Sequence, residues 1–78
     1  MNQEAIQEII IKEIKATCFK AVTPDEPLIS SGVLDSVSVI DLAVALESLF
    51  SVEIPLTEIN KEHFETVNEI ALYIKSKQ

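Results

Sequence analysis

Ile6, Ile10, Ile14 and Cys18 recur every four residues, with Ile9 beside them. A helix turns once in 3.6 residues, so this spacing draws one apolar stripe along a rod. Gln7, Glu8, Lys12, Glu13 and Lys15 take the other side, with Glu8 and Lys12 at helical pairing distance. Asn2 is placed to cap the N-terminus and Glu4 lies in the first turn, which predicts a helix from about Asn2 to Cys18. The helical period returns twice. Asp35 to Phe50 reads as a second helix with Asp35 as N-cap. Thr66-Val67-Asn68-Glu69 matches a capping box, a hydroxyl followed three residues later by a carboxylate. It opens a last helix through about Lys75, with Val67, Ile70, Ala71 and Ile74 inward, and Lys75 and Lys77 near its end suit the helix dipole.

The segments between these helices are broken by turn formers. From Phe19 to Leu34 the pattern is interrupted by Pro24, Pro27 and Gly32, with Asp25, Ser30 and Ser31 favouring turns. Phe19, Val22, Leu28, Ile29, Val33 and Leu34 make it too apolar for a floating linker, so it reads as a long loop pinned to the core. Ser51 to Pro55 is a short connection, since Pro55 cannot continue a helix. Leu56 to Phe64 holds one short or irregular helix. There are no repeats, low-complexity tracts or domain boundaries, and the 78 residues read as one domain, 1–78. The class is all-α.

Size and charge narrow the functions. A chain this short has a small core and marginal stability, with little room for a deep active site and its supporting shell. Acidic residues outnumber basic ones 13 to 6, for a net charge of −7. Such a surface repels nucleic acid and anionic membrane, and its natural partners are basic protein surfaces. The same charge also keeps a small protein soluble and monomeric. One cysteine, Cys18, allows no internal disulfide and no cysteine-built metal cluster, and reads as a small core residue at a helix end. The lone His63 has no second histidine to share a metal, no motif pairs it with Ser36, and it reads as a surface residue. Tyr73 reads as core edge. No run is apolar enough to span a membrane. Met1 is followed by Asn2-Gln3-Glu4 rather than by a secretory leader, so a cytoplasmic location is expected.

The second helix carries apolar residues on two sides. At about a hundred degrees per residue, Val39, Leu42, Ala43, Leu46, Leu49 and Phe50 form a core face. Val37, Ile40 and Val44 gather opposite, flanked by Asp41, Glu47 and Ser48. In a small bundle no second neighbour buries this outer strip. It is either covered by the long loop or free for a partner, as a narrow apolar strip rimmed by carboxylates. Beside it stands Asp35-Ser36. Ser36 falls at about the first helical position, where unpaired N–H groups and the positive end of the dipole suit a phosphate ester on its hydroxyl. Nothing in the chain resembles a base that would make Ser36 a nucleophile in its own right, so chemistry at Ser36 belongs to another protein.

These residues resemble the acyl carrier protein family, whose members attach 4′-phosphopantetheine to the serine of an Asp-Ser-Leu motif at the start of their second helix. The motif here is Asp35-Ser36-Val37, and the likeness runs through LDSVSVIDLAVALESLFSVEIP, residues 34–55, to FETVNEIALYI, Phe64 to Ile74. With the first helix and the long loop it covers nearly the whole chain. There are departures. Val37 replaces the usual leucine. Val33-Leu34 stands where fatty-acid carriers more often have Gly-Ala and peptidyl carriers Gly-Gly. Ser38, Ser48 and Leu49 replace residues often acidic in fatty-acid carriers. The Leu-Asp-Ser form looks more like D-alanyl carriers and the stand-alone carriers of specialised pathways.

The resemblance implies a four-helix bundle of acyl-carrier-protein type, with a long loop between helices 1 and 2 and a short helix 3. It implies a non-enzymatic carrier bearing covalent 4′-phosphopantetheine, from coenzyme A, on Ser36. An acyl or aminoacyl group would be presented as a thioester for fatty-acid-like, polyketide or other specialised biosynthesis. Asp35 would cap the helix and meet the phosphopantetheinyl transferase and its metal. Val37, Ile40, Asp41, Val44, Glu47 and Ser48 would dock that transferase, the acyl- or aminoacyl-loading ligase or transferase, and downstream biosynthetic enzymes. Two alternatives stay open: a D-alanyl carrier for cell-envelope modification, and an unmodified helical adaptor using the same strip.

Overall fold

In a computed structural model of the chain, which describes residues 2–78, the elements are all helical and run α1 (Gln3–Cys18), α2 (Ser38–Phe50), a 3₁₀ turn (Leu56–Glu58), α3 (Lys61–Phe64) and α4 (Val67–Lys77). The four-helix form implied by the resemblance is the form adopted, with the long loop between α1 and α2 and a short α3.

Three of the four α-helices begin at a side-chain cap. Asn2 accepts a hydrogen bond from the Ala5 N–H at 2.8 Å, and Thr66 accepts one from the Glu69 N–H at 3.1 Å. Asn60 does the same for α3, accepting from the His63 N–H at 3.2 Å. α1 and α2 end on left-handed residues, Phe19 at φ 60° and Ser51 at φ 54°, whose N–H groups turn back to the Lys15 and Glu47 carbonyls.

The core is one cluster. Ile6, Ile10 and Ile14 of α1 meet Leu42, Ala43 and Leu46 of α2 and Val67, Ile70, Ala71 and Ile74 of α4, and Phe64 closes the space from α3. Val22, Leu28 and Leu34 pin the long loop into this cluster. Asn68 adds a polar tie between elements, accepting from Gln7 through its side-chain oxygen and donating its own N–H to the Pro24 carbonyl at 3.1 Å.

Several expectations are corrected. The regular helix of α2 starts at Ser38, not Asp35. Val39 and Asp41 donate back to the Asp35 and Val37 carbonyls, at 3.0 and 3.1 Å, but among the described residues no such bond reaches the Ser36 carbonyl. The ladder is therefore broken ahead of Ser38. Leu49, expected in the core, is 52% exposed: it falls at the edge of the α2 core face, while Phe50 beside it in the same turn is buried. Phe19, expected to help pin the loop, is 87% exposed: its left-handed backbone ends α1 and turns the side chain away from the bundle. The segment from Leu56 to Phe64 is two short pieces rather than one, with Asn60 extended between them as the cap of α3. α4 runs two residues beyond Lys75, and the Lys77 ammonium there meets Glu58 at 3.0 Å. Among the described residues, no helix is long and apolar enough to cross a membrane.

Candidate functional site

The entrance of α2 is organised by Asp35. One carboxylate oxygen, Oδ1, accepts from the Val37 N–H at 3.0 Å, the Ser38 N–H at 2.8 Å and the Ser38 hydroxyl at 3.1 Å. The Asp35 N–H in turn donates to Ser38 Oγ at 2.8 Å. This is a reciprocal box with serine in the place usually held by glutamate. It satisfies two N–H groups that the first turn would leave bare. The bonds from Ser38, first, and from Val37 hold the Asp35 carboxyl below the usual carboxylate range, so it stays charged at neutral pH. Its other oxygen, Oδ2, has no hydrogen-bond partner among the described residues.

Ser36 sits inside this box, in a turn two residues ahead of the helix rather than at its first position. Asp35 reaches past it to Val37 and Ser38, so Ser36 is left exposed and its hydroxyl has no partner among the described residues. A cavity of about 410 Å³ opens beside it. Ile29, Gly32 and Leu34 of the long loop form one wall, Ile59, Asn60 and Lys61 the other, and Asp35, Ser36 and Val39 the rim at α2. An exposed, unencumbered hydroxyl next to a mostly apolar cavity fits a bulky group esterified at that oxygen. The chain's one imidazole, on His63, packs tilted against Tyr73 with ring centroids 4.8 Å apart and is not among the residues around Ser36.

The outer strip of α2 is free. Val37 is 67%, Ile40 40% and Val44 58% exposed, and the long loop does not cover them. Asp41 and Ser48 are exposed beside them. Glu47 is different. It is half-buried, and its carboxylate accepts from the Ile54 N–H at 2.7 Å, so it also holds the turn after α2. Cys18 packs half-buried against the core, and burial, followed by the Asp35 charge, pushes its thiol up and makes it less reactive.

Residues that the sequence reading left without a role line the far side of the cavity. Ile59, Asn60 and Lys61 lie in a segment read only as one short or irregular helix. No local pattern marks them, because they meet Ser36 only through packing of segments more than twenty positions away.

Comparison with known proteins gives a consistent result. Residues 4–74 match the family model described as a phosphopantetheine attachment site. The chain is 43% identical over 54 residues to a D-alanyl carrier protein of Streptococcus uberis, covering 69% of this chain and 68% of that one. A D-alanyl carrier protein of Streptococcus suis is 36% identical over 67 residues, covering 83% and 85%. One of Streptococcus pyogenes is 32% identical over 76 residues, covering 95% and 96%.

Proposed function

The chain belongs to the acyl carrier protein family and bears covalent 4′-phosphopantetheine, and on that premise we propose that Ser36 is the attachment point and that the arm presents an acyl or aminoacyl group. The observation that carries this reading is the exposed Ser36 hydroxyl, free of partners within the Asp35 box and at the mouth of the cavity.

The arm supplies a thiol on a flexible tether, which holds a thioester at high effective concentration beside a docked enzyme. The chain's own residues do simpler work. Asp35 fixes the turn that projects Ser36 Oγ outward and offers its free Oδ2 to the transferase and its metal. With the imidazole of His63 away from Ser36, the Ser36 hydroxyl proton leaves to the partner. Val37, Ile40 and Val44 provide a narrow apolar contact, and Asp41 adds charge that steers basic partners to it. Such a small patch suits brief docking, which a carrier serving a transferase, a loading ligase and later biosynthetic enzymes requires.

A second reading concerns the cargo. The three relatives are named D-alanyl carrier proteins, and this supports an aminoacyl load, D-alanine for cell-envelope modification. The general reading is tested by intact mass after incubation with coenzyme A and a broad-specificity phosphopantetheinyl transferase. A gain of one phosphopantetheine, absent in Ser36→Ala, is expected. No gain on folded protein with more than one transferase favours the unmodified adaptor. A D-alanine-activating ligase with ATP then tests the cargo: an added alanyl mass on the loaded chain supports D-alanine, and none directs the search to other acids.

A further inference from the structure

The loop wall of the cavity has no regular structure of its own. Locally it is closed by the Gly32 N–H donating to the Ile29 carbonyl at 3.1 Å and the Leu34 N–H to the Leu28 carbonyl at 2.9 Å. Leu28 and Leu34 anchor it in the core, and its hydrogen bonds to the rest of the protein converge on one residue. The Leu28 N–H donates to the Glu65 carbonyl at 2.6 Å, and the Ile29 and Ser30 N–H groups donate to Glu65 Oε1 at 2.8 and 2.9 Å. The Ser30 hydroxyl donates to Glu65 Oε2. Among the described residues, every hydrogen bond from 28–34 to a distant part of the chain ends on Glu65. The same Oε2 lies 3.9 Å from the Lys61 ammonium, and Lys61 belongs to the opposite wall. One carboxylate thus joins both walls of the cavity beside Ser36.

We infer that Glu65 is a positioning residue for the prosthetic arm: it latches the loop at Leu28–Ser30 onto the end of α3 and keeps the cavity formed, so that an arm on Ser36 has a structured pocket to lie against. The inference rests on the assignment of Ser36. Its physical basis is that hydrogen bonds to a charged acceptor are stronger than neutral ones, and that an irregular loop held by few bonds opens locally when they are lost. A wall already ordered lets the flexible arm settle without ordering the loop at the same moment.

The test uses the full chain and amide NMR, with and without the arm, in wild type, Glu65→Ala and Glu65→Gln. In wild type, loading Ser36 is expected to shift the amide resonances of Gly32, Leu34 and Ile59. In Glu65→Ala, Ile29 and Ser30 amides are expected to exchange about tenfold faster or more, and the arm-induced shifts to fall by at least about half. The transferase should still load Ser36 fully. Glu65→Gln, which keeps an oxygen for the two N–H groups, is expected to lie between. If Glu65→Ala does not fold, Ser30→Ala must show the smaller loss of both signals. A wild-type chain that loads yet shows no shifts at the cavity overturns this inference alone, as do undiminished shifts in a folded variant. A wild-type chain that takes no arm overturns the Ser36 assignment and this inference with it.

Discussion

Asp35 and Ser36 divide the work at the proposed attachment site: one builds the turn, the other is left free by it. Because Asp35 Oδ1 caps Val37 and Ser38 but not Ser36, Ser36→Ala removes a hydroxyl that holds nothing inside the protein. Its stability is expected to stay within about 0.5 kcal/mol of wild type in urea unfolding, while phosphopantetheine uptake is abolished. Asp35→Ala is expected to do the reverse in part, lowering the urea midpoint and slowing the transferase, because the turn and the free Oδ2 are lost together. Gly32 stands in the cavity wall at φ +86°, with nothing within 4 Å of where a Cβ would sit. Gly32→Ala meets no clash, so its cost is backbone strain alone, about 1 kcal/mol by chemical denaturation.

At the scale of elements, α2 carries two apolar faces, one in the core and one exposed. Leu42 and Leu46 are fully buried, and Leu46→Ala is expected to cost about 2–5 kcal/mol. That is a large share of the roughly 4–12 kcal/mol a domain of 78 residues holds, so the variant should be partly unfolded at 37 °C by circular dichroism. Val44 on the opposite face is 58% exposed. Val44→Ser is expected to change stability by less than about 0.5 kcal/mol but to slow loading by a partner enzyme, read as a higher KM. Equal KM values would overturn the proposed docking role of the outer strip. The two stripes are legible in the sequence because both follow the helical period. Leu49 is misread because it falls at the edge of the core stripe, where the helical period does not say whether a neighbour covers it, and Phe19 because its apolar character does not show that a left-handed backbone turns it outward.

The whole molecule is a small core closed by polar ties between distant segments. Glu65 fastens the loop to α3. Glu58 accepts from the Tyr73 hydroxyl and pairs with Lys77, tying the 3₁₀ turn to α4. The Ser30 bonds, first, lower the Glu65 carboxyl, and the Tyr73 bond, first, lowers that of Glu58. With Asp35, three carboxyls thus hold their protons more weakly in the folded chain than in the unfolded one. Each adds stability that is present above the ordinary carboxylate range and lost as pH falls through its depressed folded value. Urea midpoints are therefore expected to be flat near neutrality and to fall as pH drops below about 4. Glu65→Gln should flatten part of that fall. An acid limb as steep in Glu65→Gln as in wild type would show that this carboxyl does not contribute.

Local chemistry by itself determined the helices, their caps and the serine that stands out at the α2 entrance. Those features depend on neighbours within a turn or two, and a sequence displays such neighbours directly. The motif around Ser36 is also local, so the family resemblance could be carried by its residues. Tertiary structure decided the rest. It turned Glu47 partly inward to the Ile54 N–H. It also brought Ile59 and Lys61 to face Ser36, and Glu65 to grip a loop 35 residues earlier in the chain. Contacts at such separations form only because the apolar stripes collapse onto one core, and no spacing rule along the chain encodes which polar groups that collapse leaves side by side.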